Sequence, residues 1–141
     1  MIVIIIICIV LSALFSSSET AFASVNKIRL KSMADQGDKR ALKALHIAEH
    51  YEDSLTAILV GNNIVNIGAS SLATVVFTQW VGSAGPAVST VAMTILVLIF
   101  GEVLPKSYAK SHAEKLALSV ASALSAFTII MTPFVKIFDL L

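Results

Sequence analysis

Three groups of polar residues interrupt the apolar stretches of this chain, and their side-chain types suit cation binding. The first is Phe15-Ser16-Ser17-Ser18-Glu19-Thr20-Ala21. The second is Gly61-Asn62-Asn63-Ile64-Val65-Asn66. The third is Phe100-Gly101-Glu102-Val103-Leu104-Pro105-Lys106. Hydroxyl, amide, carbonyl and carboxylate oxygens are the ligands that hard cations prefer. Glu102 ends a run from Ser54 to Gly101 that contains no Asp, Glu, Lys or Arg. A carboxylate there carries a large desolvation penalty unless something compensates it. Gly101 and Pro105 can both loosen a helix, which frees backbone carbonyls beside the anion.

Each group also has a plainer explanation. Serines in an apolar helix commonly mark helix–helix contacts, because small residues let backbones approach. Asn62 and Asn66 are four apart and share a helix face, so they can simply hydrogen-bond to a neighbouring helix. Gly61 beside them permits close approach or a local break. Lys106 follows Glu102 by four residues, at ion-pair spacing. That pairing neutralises the carboxylate without explaining why it is there. Glu19 and Glu102 tip the balance, since an ionisable group within an apolar span is a functional candidate by default.

The elements that must hold these groups are membrane helices. The chain has 141 residues, 57% of them hydrophobic and 13% charged, with a mean hydropathy of +0.88. Soluble domains carry about 25% charged residues. A net charge of +1 argues against nucleic-acid binding, which needs a basic face. Cys8 lies in an Ile/Val run and reads as packing. His46, His50 and His112 fall in polar segments and read as solvated side chains. The N-terminus lacks a basic region before its apolar run, so it reads as a retained helix rather than a signal peptide.

Helical spans are expected over about 2–25, 54–79 and 87–104, each near the roughly 20 residues that a bilayer needs. Residues 26–53 hold Lys27, Arg29, Lys31, Lys39, Arg40 and Lys43 against five acids. Gly37 divides this region into two short surface helices. The second is expected to turn Ala41, Leu42, Leu45 and Ala48 to one side. The positive-inside rule places 26–53 and Lys106, Lys110 and Lys115 in the cytoplasm, with the 80–86 turn and the N-terminus outside. Ser16, Asn62, Asn66 and Glu102 then converge in the inner half of the membrane. The last apolar block, 116–135, is long enough to span, but Pro133 is expected to break it.

Taken together, Leu14-Phe15-Ser16 with Glu19 and Ala21, Gly61-Asn62 with Val65-Asn66, and Phe100 to Lys106 resemble the transmembrane domain of the CorC/CNNM magnesium transporter family. The likeness runs through the whole chain in order and spacing. It implies an all-α homodimer with three membrane helices per subunit and a cytoplasmic belt of juxtamembrane helices, here 26–53 and 106–141. It implies a multi-pass protein of the cell (inner) membrane with a cytoplasmic C-terminus, followed in the full protein by regulatory CBS-type domains. The implied activity is Na⁺-coupled Mg²⁺ export, not enzymatic catalysis. By motif match, Ser16, Asn62, Asn66, Gly101 (through its carbonyl) and Glu102 form the Mg²⁺ site, with Asn63 as a neighbour. Ser17, Ser18, Glu19 and Gly61 are candidates for Na⁺ or the pathway, and Pro105 and Lys106 for support. One alternative is a Mg²⁺-sensing membrane anchor and dimerisation module without transport. Another is an intramembrane hydrolase using Ser16 and Lys106, which lacks a visible oxyanion hole.

Overall fold

A computed structural model describes residues 1–140, and the side chains of all of these except Val135, Phe138 and Asp139. The described chain is helical throughout. Helix α1 (Ile2–Ser24) is apolar down to Leu11 and leaves Ile2, Val3, Ile6, Ile7 and Val10 exposed. In water such a surface would be unstable; against lipid it is the preferred one. Two short polar helices follow, α2 (Lys27–Asp35) and α3 (Lys39–Glu49). Both begin with a side-chain cap. Asn26 Oδ1 accepts from Arg29 N, and Asp38 Oδ1 accepts from Arg40 N and Ala41 N, satisfying amides that a helix start leaves unpaired. The break between them falls at Gly37 as expected.

Helix α3 buries Ala41, Ala44, Ile47 and Ala48, whereas Leu42 is exposed. The buried face is therefore rotated from the one expected. Its alanines let α3 approach α7 closely, and the larger Leu42 stays outside.

Helix α4 (Tyr51–Val81) and helix α5 (Gly85–Leu96) form the arms of a hairpin. The turn is a short 3₁₀ segment, Gly82–Ala84, entered at Gly82 with φ +74°, a conformation that a side chain would oppose. Helix α5 runs on into a π-helix, Val97–Val103, and then into α6 (Leu104–Ser111). In the π segment the Leu104 N–H donates to the Ile99 carbonyl, five residues back. The loosening expected from Gly101 and Pro105 thus takes a defined form. Pro105 has no N–H, so the Gly101 carbonyl lacks the partner an α-helix would give it. π-bulges of this kind occur often at functional sites.

Helix α7 (Ala113–Leu140) is one continuous helix. The break expected at Pro133 is absent: proline removes one backbone bond, and the ladder on either side carries the helix through. Among the described residues, three helical stretches are long and apolar enough to cross a membrane: 2–24, the 51–111 run that contains the hairpin, and 113–134. Helix α7 keeps contact with the polar helices along much of its length. Glu114 pairs with Arg29 at 3.0 Å, and Lys43 Nζ donates to Ser122 Oγ at 3.3 Å. Ser125, Thr128 and Thr132 line a cavity with His46, His50 and Asp53. From 114 to 132 is about 27 Å of helix.

The core has two parts. One joins Phe22, Leu30, Ala44, Ile47, Ile58, Ala117 and Ala121 at the polar-helix end. The other joins Ala69, Ala73 and Met93, with Cys8 packed against them, toward the hairpin turn. The polar groups singled out from the sequence lie between the two.

Candidate cation site

The candidate site forms where α1, α4 and the π-helix meet. Ser12, fully buried, is its pivot. Its hydroxyl donates to Asn62 Oδ1 at 2.9 Å. Asn66 Nδ2 donates to the same oxygen at 3.3 Å, as the four-residue spacing of the two asparagines allows. A Cβ at Gly101 would lie 3.0 Å from Ser12 Oγ, so glycine lets the π-helix come this near α1 without displacing the Ser12 side chain. Ser12 therefore links all three elements.

Ser16 lies one turn further along the same face of α1. It is 1% exposed, and its Oγ has no hydrogen-bond partner among the described residues. A buried hydroxyl left unpaired costs about 1–3 kcal/mol. Such an orphan calls for an explanation, and an ion is one. Glu102 is half-buried and lines a cavity with Asn66. It makes no ion pair with Lys106 among the described residues, whose salt bridges are Arg29–Glu114 and Arg40–Asp38. The plain explanation for Glu102 is thus not realised in this structure.

Several other candidates stand apart. Asn63 is exposed on an adjacent face of α4, a consequence of the 100° step per residue. Gly61 is buried, with the rings of Phe15 and Phe127 against it, which is a packing role. Ser18 Oγ donates to its own helix at Leu14 O, 2.7 Å away, so its proton is committed. Ser17 Oγ approaches the Pro105 carbonyl at 3.5 Å, the long limit of a hydrogen bond. The Glu19 carbonyl accepts from Tyr51 Oη at 2.9 Å, tying α1 to the start of α4. Lys106 is half-buried and Pro105 buried. His46, His50 and His112 are exposed, and the described residues hold no cluster of three His, Cys, Asp or Glu side chains. The site's chemistry is one carboxylate among neutral oxygens.

Ser12 was not among the residues selected from the sequence. The available signal was its spacing: it stands four residues before Ser16, on the same helix face. Within the run Ile9-Val10-Leu11 and Ala13-Leu14, one serine looks like packing.

The profile of the cyclin M transmembrane N-terminal domain family matches residues 3–141. A UPF0053 protein of Haemophilus influenzae is 42% identical over 98% of this chain and 33% of its own length. The UPF0053 inner membrane protein YfjD of Escherichia coli is 40% identical over 89% of this chain and 29% of its own. A polyamine export protein of Haemophilus influenzae is 29% identical over 91% of this chain and 33% of its own. The chain thus spans about a third of the length of these relatives. A profile match along nearly the whole sequence leaves the family in no doubt: the chain belongs to the CNNM family, as its transmembrane N-terminal domain.

Proposed function

We propose that this membrane domain carries Mg²⁺ outward in exchange for Na⁺, through the oxygens between α1, α4 and the π-helix. The observation that carries the reading is the Ser16 hydroxyl, buried without a partner on the face that Ser12 brings against Asn62 and Gly101. Ser16 Oγ, the Gly101 carbonyl, an Asn62 or Asn66 amide oxygen and the Glu102 carboxylate are the ligands. Mg²⁺ requires near-octahedral oxygen coordination at about 2.1 Å and gives up its water reluctantly. One formal negative charge among neutral ligands holds the ion without trapping it. In the orientation favoured by the cations of α2, α3 and α6, the site lies in the inner half of the membrane, and α7 lies along the inner surface with the polar helices. A second copy of the chain and regulatory cytoplasmic domains belong to the same proposal for the full protein.

The name of one relative, polyamine export protein, favours a second reading, in which the cargo is an organic polyamine. Vesicles holding the full-length protein decide between them. Na⁺-dependent Mg²⁺ flux that falls severalfold or more in Glu102→Ala and Asn66→Ala supports Mg²⁺ export. Near-normal Mg²⁺ flux in both variants overturns the assignment. Spermidine flux without Mg²⁺ flux transfers it to the second reading. Saturable Mg²⁺ binding without any flux favours a sensing anchor.

A further inference from the structure

Between α4 and α5 lies a half-enclosed cavity of about 310 Å³ that extends well beyond the proposed ligand set. Asn66 and Glu102 stand at one end. Ser70 and Thr74 on α4, and Thr90 and Thr94 on α5, continue it toward the hairpin turn. The four-residue steps 66–70–74 and 90–94 keep these oxygens on facing stripes. The three threonine hydroxyl protons are already used. Thr74 Oγ1 donates to Ser70 O at 3.0 Å, Thr90 Oγ1 to Pro86 O at 2.9 Å, and Thr94 Oγ1 to Thr90 O at 2.6 Å. Ser89, 1% exposed, is a further acceptor for Thr74, at 3.3 Å.

A hydroxyl whose proton is committed presents only lone pairs. These threonines therefore line the cavity with acceptors, and Glu102 adds a negative charge at its end. Such a wall suits a guest whose outer surface is all hydrogen-bond donors. A cation inside its first water shell is such a guest, because its waters turn their hydrogens outward. Six waters occupy about 180 Å³ at roughly 30 Å³ each, so the cavity has room for the complete shell.

We propose that this cavity is a second station, one that holds a hydrated divalent cation beside the site where the bare ion is coordinated. It lies on the hairpin-turn side of Glu102. If the site exports Mg²⁺, on which this inference rests, the cavity receives the ion as it regains its water.

The probe is hexaamminecobalt(III), an inert mimic of hydrated Mg²⁺ that cannot shed its ligands. Its equilibrium binding is measured on the full-length protein in lipid vesicles, alongside Mg²⁺ flux. The wild type is expected to bind it saturably. The combined variant Thr74→Val, Thr90→Val and Thr94→Val should bind it about tenfold more weakly, having lost several charge-assisted contacts. The variant Thr90→Ser with Thr94→Ser keeps the oxygens and should keep the affinity, which separates lost chemistry from a lost fold. Ser16→Ala should weaken Mg²⁺ binding but not probe binding. Equal probe affinity in wild type and the valine variant, or no saturable binding, overturns the proposal. Mg²⁺ flux with the wrong probe pattern removes the cavity and leaves the transport reading. The right pattern without Mg²⁺ flux does the reverse.

Discussion

Replacing Gly101 with alanine tests the contact on which the candidate site depends. The added Cβ would stand 3.0 Å from Ser12 Oγ, several tenths of an ångström inside ordinary contact. Overpacking of this kind costs roughly 1–3 kcal/mol. If Ser12 moves to relieve it, its 2.9 Å bond to Asn62 weakens, and interhelical hydrogen bonds in membranes average about 0.6 kcal/mol. Alanine's helix preference returns up to about 1 kcal/mol. The balance is a loss of roughly 0.5–3 kcal/mol. Reversible unfolding by SDS titration in mixed micelles measures it. Gly68→Ala is the internal control, because nothing lies within 4 Å of the Cβ it would add. That variant should be as stable as wild type or slightly more so. If Gly101→Ala is as stable as Gly68→Ala and keeps full Mg²⁺ flux, the approach of the π-helix to Ser12 is not as described.

Other expectations follow from single groups. Ser16→Ala removes a buried oxygen that has no partner among the described residues, so the Mg²⁺-free protein should gain about 1 kcal/mol or more. The thermal stabilisation by Mg²⁺ should disappear in the same variant, a pairing that a merely structural serine would not give. Pro105→Ala restores an N–H opposite the Gly101 carbonyl; Mg²⁺ affinity should fall severalfold by titration as that oxygen is drawn back into the helix. Arg29→Ala breaks the pair with Glu114, but the arginine is 68% exposed, so the loss should be below about 1 kcal/mol and shrink in high salt.

The parts of the site that the sequence reveals are those that are expensive in a membrane. Glu102 and the Asn62/Asn66 pair stand out because a carboxylate or amide in an apolar run demands compensation. Ser12 does not stand out, since a lone serine costs little and commonly packs; its importance comes from Asn62 and Gly101 arriving from distant parts of the chain. Gly101 and Pro105 announce a loosened helix, yet its π form depends on how α5 is held against α1 and α4. Asn63 misleads in the opposite direction. It shares the motif with Asn62 but faces away, because a neighbour in sequence is a neighbour on a helix only at three or four residues' distance. Thr74, Thr90 and Thr94 are also silent in the sequence. Only the structure reveals that their protons turn back to backbone carbonyls and their oxygens share one cavity.

Helix α7 shows a different limit. Its length and apolarity permit a span, and Pro133 invites a break. The ion pair of Glu114 with Arg29 and the bond from Lys43 to Ser122 join it to the polar helices. Such contacts join residues 79 and more positions apart, beyond the reach of any local pattern.

The most direct test is Mg²⁺ binding at equilibrium by the purified full-length protein and by Glu102→Gln, which keeps the shape of the side chain and removes its charge. Breaking a buried charge pairing costs about 3–5 kcal/mol, so the account predicts a loss of affinity of about a hundredfold or more. Unchanged Mg²⁺ affinity in Glu102→Gln would contradict it.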